Sequence, residues 1–417
     1  MSLRLHRWLG QRIARDLFTR PPGSLPALDG IRGFACAAIV FFHATVFSGV
    51  FLARDPDVWL RALRFLGNAM WTGVDIFFVL SGFLIGRILI RDLLRSGRVG
   101  WRRFYLRRSF RIFPAYYFVL SVILFVLARF DLANYGGYLA FTGAGSWEHV
   151  RDGAWANYLY VSNYIAPTRA NVMTWGWSLC VEEHFYLLLP TALALIFRAR
   201  SKGLRAALLV ALALLPVAAR ALAYATRSGG ERSFYYYSHS RFDQLLVGVV
   251  VAYLYVVYRE PFERLAMRRG FAIGAIGLAC IAAVWTWGGL LGAGVFAVVW
   301  QFLVLGVGVA LVVVNGIFGV GPLSRFFASR VWFPLARVSY GMYLVHPVVI
   351  FGCIPWLKRV WIGSAPVRPS HVLVLYACAM AISFALASLL FLLLERPLLD
   401  VGARLGGRAS SRRAGGE

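Results

Sequence analysis

Apolar runs of membrane-crossing length recur along the chain, each closed by a charged or Gly/Pro-rich seam. Ten qualify: 31–51, 71–90, 112–130, 175–197, 204–225, 242–258, 271–288, 294–315, 333–356 and 372–394. Hydrocarbon offers backbone N–H and C=O groups no water, so runs of this kind must satisfy their hydrogen bonds internally as helices. The pattern therefore predicts an all-α polytopic integral membrane helical bundle of about ten transmembrane helices. A basic segment over 1–24 precedes the transmembrane domain, 25–400, and a basic tail over 401–417 is expected to be disordered. Lys and Arg crowd into alternate seams, with more than twice as many on the side that holds the termini. The positive-inside rule then places both termini in the cytoplasm. The weakest spans are the fifth and sixth, whose edges carry Arg220 and Asp243.

Composition agrees with the pattern: 60% of residues are hydrophobic, 15% are charged and mean hydropathy is +0.67. A formal charge of +26 would suit nucleic acid, but its confinement to alternate seams makes it a topology signal, and no nucleic-acid partner is expected. Met1–Arg20 is Arg-rich and roughly amphipathic without an uninterrupted apolar core, so no cleavable leader is expected. Cys36, Cys180, Cys280, Cys353 and Cys378 all fall within apolar segments without paired metal spacing, which predicts free thiols and no bound metal.

The first span, LPALDGIRGFACAAIVFFHATVF, carries Asp29, Arg32 and a solitary His43. Arg32 and His43 are eleven residues apart, within about 20° of one another on a helix and roughly 16 Å apart along its axis, which puts His43 near mid-bilayer. Ionisable groups at that depth are functional candidates by default, the simpler alternative being a histidine hydrogen-bonded to a neighbouring helix. The second span places Asp75 one turn below the outer surface and Ser81 deeper, with Gly82 and Gly86 for close helix approach. Arg108 and Arg111 share one face where the third span enters the membrane from the cytoplasm, a position suited to phosphates. The surrounding arginines are explained by topology and contact with anionic membrane lipid. TWGWSLCVEEHFY opens the fourth span with Trp177 and brings Glu182 and Glu183 to about the depth of His43; they cannot share a face, and paired buried charges are the alternative. Ser339, Tyr343 and His346 form a polar stripe on the ninth span, either a helix seam or a pocket lining. The aromatic loop 131–174 fits an interfacial belt or a sugar-stacking surface. Glu395 and Arg396 end the tenth span as a structural anchor.

Taken together, LDGIRG followed by His43, GVDIFFVLSGFLI, RRSFRIFP, WSLCVEEHFY, VSYGMYLVHP and ERP resemble, in order and over nearly the whole span region, the acyltransferase 3 family of polytopic bacterial membrane enzymes. The resemblance implies an O-acyltransferase of the bacterial inner membrane that moves an acyl group, acetyl first, from cytosolic acyl-CoA to a hydroxyl of an extracytoplasmic carbohydrate or glycolipid. It implies His43 as the general base, with Glu182, Glu183, Asp29 and Arg32 supporting it and Arg108 and Arg111 holding CoA phosphates. Asp75, Ser81, Trp177, Ser339, Tyr343 and His346 are the substrate-binding candidates. Cys180 and His184 depart from the serine and glutamine usual in the fourth-span motif. The chain ends about 20 residues past ERP, so the hydrolase-like domain that some relatives carry there is expected to be absent or a separate extracytoplasmic partner. The alternative from another class is a transporter or flippase that uses buried His and Glu residues without acyl chemistry.

Overall fold

Each predicted span coincides with helix in a computed structural model that describes residues 13, 15–53, 56–130, 147–165, 171–227, 231–289, 294–319, 321–363 and 367–414. In chain order these are α1 (Pro26–Ser48), α2 (Val58–Ala69), α3 (Gly73–Ser96), α4 (Trp101–Phe130), α5 (Trp147–Tyr158), α6 (Trp177–Ile196) and α7 (Lys202–Ala225). They continue as α8 (Phe242–Val257), α9 (Arg259–Trp287), α10 (Gln301–Phe318), α11 (Ser339–Leu357), α12 (Pro369–Leu390) and α13 (Arg396–Ala414). No strand occurs among the described residues, and the molecule is a polytopic helical bundle. Eight helical stretches are long and apolar enough to cross a membrane; α8 is a shorter apolar helix of 16 residues.

The first helix starts five residues earlier than its apolar run because Pro26 supplies a preset φ at its first position and Asp29 meets the positive end of its dipole. It stops at Gly49, whose φ of 84° only glycine adopts cheaply. Some 61% of the apolar window of α1 is buried and 72% of that ending in α10, against 28% for α7 and 22% for α9, so the former are central and the latter peripheral. Leu214, Leu215 and Leu222 of α7 and Phe271 of α9 point outward, as lipid-facing residues do.

A close contact joins α3 to α8 through reciprocal glycines. A Cβ on Gly82 would lie 1.8 Å from the Leu245 carbonyl oxygen, and one on Gly248 would lie 2.2 Å from that of Val79. Their absence lets the two backbones touch, and that approach carries the charged start of α8 against α3. Past the tenth span the described chain is helical through Ala414, over residues that composition reads as a basic tail. It continues as α13, and Gly402 seats under Phe110 of α4, where a Cβ would come within 2.8 Å of the ring's own Cβ. Small residues on that face let an otherwise polar helix dock, which composition alone does not register.

Candidate active site

Helices α1, α3, α4, α6 and α11 converge on a cleft with about 880 Å³ of empty space. Its polar lining is Arg32 from α1, Ser81 from α3, Arg108 and Arg111 from α4, Ser178, Glu182 and Tyr186 from α6, and Ser339, Tyr340 and Tyr343 from α11. The four-residue spacing of Ser178, Glu182 and Tyr186 puts all three on one stripe of α6. Adjacent Glu183 is turned away by the same geometry and lies instead among Tyr117, Tyr160 and Tyr340, with one carboxylate oxygen buried and unpartnered. The Ser81 and Tyr186 hydroxyls are 2.5 Å apart, and the Arg108 guanidinium stands 5.3 Å over the Tyr186 ring. Arg32 is within electrostatic reach of Arg108, Arg111, Glu182 and Asp29. Three guanidinium groups against one carboxylate at the lining make the cleft a place for an anion.

Beyond Tyr343 lies a histidine pair. Tyr343 donates its hydroxyl proton to the Trp175 carbonyl at 2.5 Å and so must accept the bond from Ser178, also at 2.5 Å. Its ring is 5.8 Å from that of His346, whose Nε2 is 3.2 Å from Nδ1 of His43. His43 Nδ1 also lies 3.0 Å from the Ile39 carbonyl, and His346 Nδ1 lies 3.0 Å from the Met342 carbonyl. A carbonyl only accepts, so each neutral ring carries its proton on Nδ1. His346 Nε2 is thus an acceptor for the Nδ1–H of His43, and Nε2 of His43 keeps a free lone pair. Two turns back from His346 along α11, Ser339 donates to the Ala336 carbonyl and faces the cleft; His346 is roughly 10 Å further along the axis.

Other sequence candidates stand elsewhere. Asp75 does not line the cleft: it is fully buried, paired with Arg241 and accepting from Gln244 Nε2 at 2.6 Å. Trp177 packs on Tyr235 at 4.7 Å and flanks the Arg241 guanidinium at 5.5 Å, so it walls this ion pair and not the cleft. The edge charges of the fifth and sixth spans find each other, Arg220 meeting Asp243 at 2.7 Å with both side chains fully buried. Asp29 sits off the cleft near Arg32, Arg20 and Arg337, and His184 bonds Ser238 at 2.7 Å. The aromatic loop falls largely outside the described residues; its described part, α5, stacks Tyr158 on Tyr117 of α4.

Sequence reasoning passed over Arg241, Gln244, Ser178, Tyr186 and Tyr340. The available signal was charge balance: a lone Asp75 in hydrocarbon requires a cation, and SRFDQ, at the head of the sixth span, holds an arginine able to serve.

With the geometry in view, comparison with known proteins gives a consistent result. The family model described as an acyltransferase domain matches residues 25–391, and the chain belongs to that family, acyltransferase 3. Peptidoglycan O-acetyltransferase OatA of Listeria monocytogenes is 26% identical over 407 residues, covering 91% of this chain and 56% of the relative. O-acetyltransferase OatA of Staphylococcus aureus is 24% identical over 410 residues, covering 91% and 58%. Putative peptidoglycan O-acetyltransferase YrhL of Bacillus subtilis is 28% identical over 259 residues, covering 59% and 35%. The chain thus spans little more than half the length of the first two. No solved structure matches it.

Proposed function

We propose that the protein is a membrane O-acetyltransferase that takes acetyl from acetyl-CoA at the cytoplasmic face and delivers it to a hydroxyl of an extracytoplasmic carbohydrate. The observation that carries this reading is the alignment of a cationic cleft, entered past Arg108 and Arg111, with a histidine pair beyond its far wall. A cell-wall glycan is the first acceptor to test, since two of the relatives bear peptidoglycan in their names.

Acetyl-CoA supplies an activated thioester. Arg32, Arg108 and Arg111 fit its phosphates and the polar start of its arm by charge and by their planar donors. Ser81, Ser178 and Tyr186 line the cleft with hydroxyl oxygens, the Ser178 proton being committed to Tyr343. His43 accepts the acceptor's hydroxyl proton at Nε2 as the new O–C bond forms, and returns it to sulfur as the C–S bond breaks. The Ile39 carbonyl and His346 Nε2 both accept from Nδ1 and so leave that nitrogen free, and His346 steadies the charge His43 carries between the two proton movements.

Two experiments test this reading. Purified protein is expected to release free CoA from acetyl-CoA in the presence of a glycan acceptor, and Arg108→Ala and Arg111→Ala each to raise the apparent KM for acetyl-CoA roughly tenfold or more with abundance unchanged. Absence of acetyl transfer from wild type would favour a transporter. Sidedness follows from the basic seams: cysteines introduced in the 131–174 loop are expected to react with an impermeant reagent on intact cells, and ones near residue 98 or 410 to stay protected. Labelling at 98 from outside reverses the orientation and removes the cytosolic donor route.

A further inference from the structure

A second cavity adjoins the cleft and shares Arg108 and Arg111 with it. It has about 1080 Å³ of empty space and is walled by Asp92 and Arg95 of α3, Arg103 and Arg107 of α4, and the Leu399–Ala403 turn of α13. Arg103, Arg107 and Arg111 follow one another at four-residue intervals, which makes a guanidinium track of roughly 12 Å along one face of α4, from its first turn to the cleft. Arg95, Arg103, Arg107 and Arg111 form no ion pair or hydrogen bond with any described residue, and Asp92 is the only acidic side chain in the wall. The helix that closes the cavity lies beyond residue 391, where the family match ends.

Topology and anionic lipid explain arginines scattered over a juxtamembrane surface. They do not explain five arginines gathered round one cavity, roofed by a helix held on α4 through Gly402 and Phe110, and joined to a second cavity with a different lining. A ligand that matches both has a polyanionic head and a long arm ending in a small group. Counted as room for water-sized groups its volume is about 380 Å³, within the size range of small-molecule sites.

We infer that this vestibule binds the 3′-phosphorylated nucleotide head of the acyl-CoA donor, with Arg95, Arg103 and Arg107 meeting its 3′-phosphate and α13 covering it. The inference rests on acyl-CoA being the donor. Selectivity for the phosphorylated head then resides in a helix outside the family domain and in arginines upstream of the Arg-x-x-Arg pair, and the acyl arm passes Arg108 and Arg111 into the cleft.

The test compares acetyl-CoA, 3′-dephospho-acetyl-CoA and S-acetylpantetheine as donors for purified full-length protein. Wild type is expected to prefer acetyl-CoA over the dephospho form by about 10- to 100-fold in kcat/KM, the loss that one or two charge-assisted hydrogen bonds entail. Arg103→Ala and Arg107→Ala should bring that ratio close to one. Arg98→Ala, exposed in the same seam but not in the wall, should leave it as in wild type. Ala403→Trp, which fills the vestibule from α13, should impair acetyl-CoA more than S-acetylpantetheine. A wild type that uses both nucleotide donors equally, or arginine variants that keep the full preference, overturns the vestibule while leaving acyl-CoA as donor; anionic lipid is then what these arginines meet. A wild type that transfers acetyl only from a donor without CoA overturns the vestibule and the donor assignment together.

Discussion

His43→Gln lowers acetyl transfer about 10²- to 10⁴-fold, the contribution expected of a positioned general base, with little change in thermal stability. Glutamine can keep the bond to His346 through its amide N–H but cannot take a proton near neutral pH. The imidazole is half-buried, and its bonds run to a helical carbonyl and to another neutral ring, so the bundle does not depend on a charge there. His43→Ala should behave likewise in activity. The partner gives a finer test. His346→Phe removes one of the two acceptors of the His43 Nδ1–H, leaving the Ile39 carbonyl, and with it the polar partner of the charged ring; it should reduce kcat with KM for acetyl-CoA unchanged, and His346→Gln, whose amide oxygen accepts, should retain more turnover than the Phe variant. A His43→Gln enzyme with near-normal turnover would show that His43 only packs, and His184 would become the next histidine to examine.

Arg241→Leu is expected to be the most destabilising of the substitutions considered, by about 3–5 kcal/mol, because it leaves Asp75 buried without its cation. Asp75→Leu should cost a similar amount for the converse reason. The pair joins α3 to the start of α8, is wholly shielded from solvent, and is surrounded by the rings of Phe302 at 3.9 Å and Tyr235 at 4.8 Å. Each charge is tolerable in hydrocarbon only beside the other. Asp75→Leu combined with Arg241→Met should therefore recover much of the loss, which a double-mutant cycle on thermal unfolding in detergent would measure. If Asp75→Leu instead keeps wild-type stability and loses acceptor use, Asp75 belongs to a substrate site, as its sequence position alone allows, and the ion pair is incidental.

What the sequence determined by itself was whatever depends on one helix at a time. Membrane crossing demands about twenty apolar residues and internal hydrogen bonding, so the polytopic helical bundle was legible without any tertiary information, although eight helical stretches among the described residues, not ten, are long and apolar enough to cross. Helical periodicity likewise put Arg108 beside Arg111, set Glu182 and Glu183 on different faces, and lined up Arg32 with His43. Tertiary structure decided which of those faces meet. His43 and His346 are 303 residues apart, and Asp75 and Arg241 are 166 apart; no local pattern states that the first two share a proton while the second two neutralise each other. Close approach made the difference in the second case, since the bare Gly82 and Gly248 surfaces let α8 bring Arg241 against α3, taking Asp75 out of reach of the cleft. The helical course of residues 401–414 was also invisible to composition, because what holds α13 is a small-residue contact with Phe110 supplied by another helix. Periodicity reports what a side chain can face, and only packing selects the partner.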